Sequence, residues 1–152
     1  MNDYIRDGRS PEPLNNNVSV VMSANKAKDT KPELLVRKRL FQLGIRGYRL
    51  HKKDIPGRPD LCFTKKRLAV FINGCYWHRC PYCELPFPKT NTEFWQKKFD
   101  ANIKRDKNNI SLIENMGWNV LVIWECEVLD INRKVRDLNP LLLRIAGHLS
   151  NN

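Results

Sequence analysis

Four of the five cysteines stand at a spacing that suits a metal ion. Cys80 and Cys83 form C-P-Y-C, Cys75 lies five positions upstream, and Cys126 falls far downstream. Zinc favours a tetrahedron of thiolate sulfurs, and two thiolates separated by two residues can turn onto one ion. A redox dithiol is the rival reading of C-x-x-C, and four unrelated buried thiols the plain one. A redox pair normally sits at a helix N-terminus after a strand, whereas this pair lies in a Pro-rich stretch with two further cysteines, which favours zinc. Four protein ligands leave no open position for water, so such a site would be structural. Cys62 has no partner at a suitable spacing; alternating with Leu61 and Phe63, it reads as an inert core thiol.

Asp60 ends P-G-R-P-D, where a Pro/Gly loop enters an extended segment. A carboxylate there suits Mg²⁺, a hard cation that prefers oxygen ligands; the alternative is that Asp60 caps a turn. If the strand ending at Ile72–Asn73 pairs with it, the Ile72 carbonyl or the Asn73 amide could share the ion. His78, in C-Y-W-H, allows three readings that spacing leaves open: a zinc ligand replacing one cysteine, an exposed imidazole, or an acid/base group titrating near neutral pH. Glu33 has a local explanation as the fourth residue of a T-x-x-E capping box with Thr30. Asn102, Asp106 and Asn109 recur at i, i+4 and i+7, ordinarily a solvated helix face, and the neighbouring Lys97, Lys98, Lys104, Arg105 and Lys107 make phosphate contact plausible. Tyr76, Trp77, Phe94 and Trp95 read by default as packing residues. Flat rings in an irregular, metal-held loop beside basic residues can instead wedge between base pairs.

Something must position these groups. The spacing predicts a helix from Thr30, with Pro32 in its first turn, Val36, Leu40 and Leu43 on one face and Gly44 as the stop. Extended segments follow at about 47–51, 60–64 and 68–73, the last two joined through Lys65 and Lys66 as a hairpin. The stretch 74–90 has neither helical nor strand period and reads as an irregular loop. A long helix is expected over about 91–116, capped by Asn91 or Thr92, with Phe99, Ile103, Ile110 and Ile113 as its apolar stripe and Gly117 ending it. A buried strand at 118–124 and a helix at about 133–149, with Leu138, Leu142, Ile145 and Leu149 on one face, complete the order. Helix, three strands, helix, strand, helix implies an α/β domain with a mixed sheet. Residues 1–22 read as a mobile arm and residues 23–152 as one domain.

The chain has 152 residues, 41% of them hydrophobic, and an ordinary globular composition that excludes collagen-like, coiled-coil and wholly disordered classes. No apolar run reaches the roughly 20 residues needed to span a bilayer. Met1 is followed by polar residues, so a cytoplasmic protein without a signal peptide is expected. Lys and Arg number 27 against 16 Asp and Glu, a formal charge of +11. That excess attracts polyanions, nucleic acid foremost, without distinguishing an enzyme from a binding module.

Taken together, PGRPDLCF, AVFINGCYWHRCPYC, PKTNTEFWQKKFDANIKRD and GWNVLVIWEC, in that order between Ser23 and Cys126, resemble the very short patch repair (Vsr) DNA mismatch endonuclease family. The resemblance implies a restriction-endonuclease-like core, a mixed central sheet flanked by helices, with a structural zinc. It further implies a monomer that nicks one strand of double-stranded DNA 5′ to the thymine of a T:G mismatch, the lesion left when 5-methylcytosine deaminates, with other mismatch-repair proteins as accessory partners. Carried over position by position, Asp60 binds Mg²⁺ and the Ile72 backbone carbonyl shares it. His78 is the catalytic histidine, and Glu33 and Asn102 hold metal-bound waters. Tyr76, Trp77 and Trp95 form the intercalating wedge, and Cys75, Cys80, Cys83 and Cys126 bind Zn²⁺. Asn73 stands at an active-site position where some members have a second histidine; an amide cannot exchange protons near neutral pH, so acid/base work falls to His78. Two rivals remain at this stage: a restriction-type nuclease on the same fold cutting an unmodified site, and a catalytically silent zinc-stabilised DNA-binding module.

Overall fold

The computed structural model describes residues 28–151, so the arm expected over residues 1–22 lies outside the described region. The first helix, α1 (Lys31–Gln42), starts where the capping signal places it. The Glu33 N–H donates to Thr30 Oγ1 at 3.5 Å, and Pro32 occupies the first turn, where its missing N–H costs nothing. The return arm of the box differs from expectation: Glu33 Oε2 accepts from the Asp29 N–H at 3.1 Å rather than from Thr30. Val36 and Leu40 are fully buried, whereas Leu43, expected on the same face, is half exposed because the helix has already ended.

Four strands form one sheet in the order β1 (Arg49–Leu50), β2 (Leu61–Phe63), β3 (Leu68–Asn73) and β4 (Asn119–Trp124). β1 pairs antiparallel with β2, and β2 antiparallel with β3 across a 3-10 turn at Thr64–Lys66. β3 and β4 run parallel, which requires a crossover; α3 (Thr92–Asn115) supplies it. The short helix α2 (Cys75–His78) lies inside the stretch expected to be wholly irregular. After β4 comes a single turn, α4 (Glu125–Val128), and then α5 (Asn139–Ser150).

Two of the expected boundaries change. Asn91 occupies the cap position of α3 but in the left-handed conformation, φ 54°, without a side-chain cap bond; its carbonyl accepts from the Trp95 N–H at 3.1 Å. The last helix begins at Asn139 and not near residue 133. Val135 bridges to Leu129 in an extended pairing, and Pro140, which cannot sit inside a helix, lies in the first turn.

Alternation along β2 and β3 divides the interior. Leu61, Phe63, Leu68, Val70 and Ile72 face α1, α4 and α5, packing with Val36, Leu40, Val128, Leu142 and Ile145. Cys62 and Ala69 point the other way, onto Ile113 of α3 and Ile55. The result is helix, sheet, helix in three layers. Cys62 is fully buried, and burial pushes its thiol up to about 11, consistent with an inert core thiol. Among the described residues no helix is long and apolar enough to cross a membrane.

The Pro/Gly loop ahead of β2 packs against α3 at one point. Gly57 has φ +76°, and a Cβ there would meet Asn109 Nδ2 at 2.9 Å and Asn109 Cβ at 3.2 Å. Gly57→Ala is therefore expected to destabilise the protein by about 2 kcal/mol through left-handed strain plus displacement of Asn109. A lowered urea midpoint at unchanged m-value would show it, and Asn109→Ala in the same chain should recover part of the loss.

Candidate active site and metal centre

Strand register brings the chemistry to one end of the sheet. In the parallel pair, Asn73 lies opposite Trp124. Two residues further along each strand stand Cys75 and Cys126, and the Cys126 N–H donates to Cys75 Sγ at 3.3 Å. The turn through α2 and Arg79, with φ 52°, returns Cys80 to the same place; its N–H donates to the Cys75 carbonyl at 2.9 Å. The sulfurs of Cys75, Cys80, Cys83 and Cys126 all lie within 4.8 Å of one another, Cys80 and Cys126 at 3.8 Å. Sulfurs on a tetrahedral ion with bonds of about 2.3 Å stand about 3.8 Å apart, so the donor set fits Zn²⁺. Without an ion, burial raises the Cys75 thiol well above the ordinary range and pushes the Cys126 thiol up to about 12. His78 is not among this cluster.

The antiparallel pair delivers Asp60 to the same end. Leu61 lies opposite Val70, so the preceding carboxylate reaches the end of β3, where Asp60 Oδ2 accepts the Ile72 N–H at 2.6 Å. That contact is the juxtaposition anticipated from the hairpin. Burial, together with the nearby Glu33 carboxylate, pushes Asp60 up to about 7 in spite of the bond from Ile72. A buried carboxylate that prefers a proton to its own charge is where a divalent cation lowers the energy most. The oxygen set of Asp60 and the adjoining main chain suits Mg²⁺.

Glu33 is 2% exposed, which a capping role alone does not require. Its Oε2 stands 3.5 Å from His51 Nε2, while His51 Nδ1 stands 3.7 Å from Asp60 Oδ1. Sequence reasoning did not single out His51. The signal was present in register only: β1 pairs Leu50 with Leu61, so the next residue, His51, falls opposite Asp60, and the His51 N–H donates to the Asp60 carbonyl at 3.4 Å.

The polar stripe of α3 is not a solvated face. Asp106 Oδ2 stands 2.6 Å from His78 Nδ1, Asn102 Nδ2 donates to the Trp77 carbonyl at 3.2 Å, and Asn109 packs on Gly57. The carboxylate at Nδ1 favours the tautomer with its proton there, leaving Nε2 as the acceptor. Asn102 also accepts from Arg105 at 2.9 Å, so both ends of its amide are engaged within the protein and tie α3 to α2.

Around this lobe the rings form one cluster. Tyr76 and Trp77 meet edge-on at 5.1 Å, Trp77 leans on Trp95 at 5.8 Å, and Trp95 stacks on Phe99 at 5.8 Å. Arg79 lies over the Phe99 ring at 4.4 Å. Tyr76 and Trp77 are partly exposed; Trp77 leans on Trp95, at 8% exposure, and Tyr76 meets Phe99 edge-on at 5.5 Å. Lys97, Lys104, Arg105 and Lys107 are exposed along α3.

The layered mixed sheet thus carries a carboxylate, an imidazole–carboxylate pair and a four-cysteine cluster at one end. The family profile of DNA mismatch endonuclease Vsr matches residues 15–84. The chain is 40% identical over 124 residues to the type II nicking enzyme V.XorIIP of Xanthomonas oryzae pv. oryzae, covering 80% of this chain and 89% of that one. It is 41% identical over 127 residues to V.NmeAIP of Neisseria meningitidis, with 79% and 90% covered, and 36% identical over 105 residues to DNA mismatch endonuclease Vsr of Escherichia coli, with 69% and 67% covered. Among solved structures, the catalytic domain of homing endonuclease I-Bth0305I superposes with a TM-score of 0.51 at 24% identity, over 80% of this chain and all of that one, a likeness of fold alone. The fold is restriction-endonuclease-like and the protein is a DNA endonuclease. The chain belongs to the Vsr family.

Asp60 also makes stability depend on pH. It ionises near 3.8 when unfolded and near 7 when folded, so the fold binds this proton more tightly. The stability it contributes is complete below the unfolded value and lost as pH rises through about 7. In chelator, the melting temperature of the wild type relative to Asp60→Asn is expected to fall between about pH 4 and about pH 7, and Mg²⁺ should restore it at the upper end. A difference between the two proteins that is flat with pH would contradict the assignment.

Proposed function

We propose that this endonuclease nicks one strand of double-stranded DNA 5′ to the thymine of a T:G mismatch, acting as a monomer with Mg²⁺ at Asp60 and a structural Zn²⁺ on Cys75, Cys80, Cys83 and Cys126. The observation that carries the reading is the contact of Asp60 with the Ile72 main chain at the sheet end from which α2 delivers His78, paired with Asp106. Family membership supports it, and so does the activity of the Escherichia coli relative as a DNA mismatch endonuclease.

When bound, Mg²⁺ supplies a Lewis acid for the scissile phosphate and for charge developing in the transition state. Asp60 and the Ile72 carbonyl would hold it. Asp106 fixes the His78 ring, so that Nε2 takes a proton from the attacking water. Glu33 lies close enough to Asp60 to order water at the ion. Asn73 contributes an amide that hydrogen-bonds without transferring protons. Tyr76 and Trp77, backed by Trp95, press into the base stack. Unstacking costs a few kcal/mol per step and least at a mispair, so deformability selects the site. Lys97, Lys104, Arg105 and Lys107 hold phosphates without reading sequence.

A strand-specific assay on end-labelled duplexes tests this. The T:G heteroduplex should be nicked in Mg²⁺ and the matched duplex spared; equal cutting of both would instead place the protein among restriction-type nucleases. His78→Ala should lower the rate by about 10²–10⁴-fold, the usual worth of an acid/base group. Asp60→Ala should bring nicking to background, and wild-type nicking by that variant would overturn the metal assignment.

The zinc is tested separately. Wild-type protein should carry about one zinc per chain, and Cys83→Ser should lose both the metal and the cooperative melt, because structural zinc and folding are linked. A metal-free Cys83→Ser protein melting as wild type does would refute the site.

A further inference from the structure

We propose that Asp29, Glu33 and His51 form a second divalent-cation position beside Asp60, suited to a metal that accepts nitrogen, such as Mn²⁺. The proposal builds on the Asp60 centre but uses different ligand atoms. The His51 ring separates two groups of carboxylates: Nδ1 faces Asp60 Oδ1 at 3.7 Å, and Nε2 faces Glu33 Oε2 at 3.5 Å and Asp29 Oδ1 at 3.7 Å.

Among the described residues, Nε2 is a buried atom with no hydrogen-bond partner. Leaving such a nitrogen unpaired is costly, and both oxygens are too distant to be hydrogen-bonded to it. They are at a suitable distance to share an ion with it. Nitrogen and oxygen ligands each about 2.1 Å from an octahedral ion stand about 3.0 Å apart when adjacent, and the donor atoms of Asp29, Glu33 and His51, all within 4.8 Å of one another, need contract only slightly to reach that spacing.

Charge argues the same way. Asp29, Glu33 and Asp60 converge on one imidazole. Arg37 stands 2.7 Å from Asp29 Oδ1, and that pair offsets one carboxylate only. Glu33 is buried, and among the described residues its ion-pair neighbour is His51 itself. A cation held on Nε2 would supply the missing positive charge and satisfy the orphaned nitrogen together.

The donor set indicates which cation. Asp60 with a main-chain carbonyl is an all-oxygen set, whereas one imidazole with two carboxylates favours Mn²⁺ and later transition ions over Mg²⁺. A metal on Nε2 leaves the proton on Nδ1, directed at Asp60, an arrangement in which a carboxylate orients a metal-bound histidine. The ring would thereby link the two cation positions.

The test is a Mn²⁺ titration of the full chain with its zinc in place, followed by electron paramagnetic resonance. Wild type should bind one equivalent of Mn²⁺ beyond that lost in Asp60→Asn, and its pulsed spectrum should show coupling to a ring nitrogen. His51→Gln should abolish the nitrogen coupling and the extra equivalent while keeping zinc and the cooperative melt. Asp29→Asn, which leaves the ring in place, should weaken that equivalent about tenfold or more. Nitrogen coupling that survives in His51→Gln overturns the proposal, as does a single Mn²⁺ lost with Asp60→Asn and untouched by His51→Gln; the latter leaves the Asp60 centre standing. A Mn²⁺ that keeps its nitrogen coupling and is indifferent to Asp60→Asn, with no other ion bound, supports the second position and removes the first.

Discussion

The register of three strand pairings is the constraint on which the rest depends. Leu50 opposite Leu61, Leu61 opposite Val70, and Asn73 opposite Trp124 together bring His51, Asp60, Ile72, Cys75 and Cys126 to a single end of the sheet. None of these residues approaches another through local sequence except within β3 and α2. Side chains alternate along a strand, so a slip of one residue in any pairing would reverse which face each presents. The apolar alternation resists that slip, because Leu61, Phe63, Val70 and Ile72 would leave one core while Cys62 and Ala69 entered it. Burial of ordinary aliphatic groups thus holds the polar site in place.

That end of the sheet gathers negative charge in a protein whose net charge is +11. The excess of Lys and Arg draws DNA toward the surface by long-range attraction, but phosphate brought close to Asp60, Glu33 and Asp29 would be repelled unless a cation intervened. Burial of Asp60 raises the cost of its own charge in the absence of that cation. The two facts have one physical origin: a desolvated carboxylate cluster is unfavourable alone and favourable around a divalent ion. Stability and reactivity at this site are for that reason both matters of what occupies it.

Much of the architecture was legible in the sequence, because it rests on short-range physics. The Thr30 cap, the alternation around Cys62, the hairpin at Lys65–Lys66, the long α3 and the strand before Cys126 all follow from patterns within a few residues. The cysteine cluster and the Asp60–Ile72 contact were legible as well, since a turn-linked pairing predicts its own neighbours. His51 was not, because its role arises from β1, a two-residue strand whose partner lies across a loop. Asp106 and Asn109 looked like a solvated face, since periodicity tells which residues share a side of a helix but not what covers it. The apolar face from Leu138 onward marks α5 but not its first residue: the start expected near residue 133 lies at Asn139, because Val135 is claimed by a bridge to Leu129. The resemblance sets Trp95 beside Tyr76 and Trp77 in one wedge; in the structure it stacks on Phe99 and is buried, whereas the other two rings are partly exposed.

The aromatic lobe and the metal-binding end are mechanically one unit. Gly74 leads from β3 directly into α2, whose four residues carry a cysteine of the sulfur cluster, the two exposed rings and the histidine in succession. Asp106 and Asn102 of α3 grip that turn from the other side, one at the imidazole and one at the Trp77 carbonyl. A ring displaced by a base step would therefore pull on the same turn that aims His78. Single-turn helices have little stability of their own, so the orientation of this one is set by its anchors: sulfur at the start, carboxylate and amide from α3 at the end. Under the proposed reading, recognition of a weakened stack and placement of the proton acceptor would be coupled through four residues of chain, a short enough lever for distortion of the duplex to be felt at the imidazole without any wider rearrangement of the sheet.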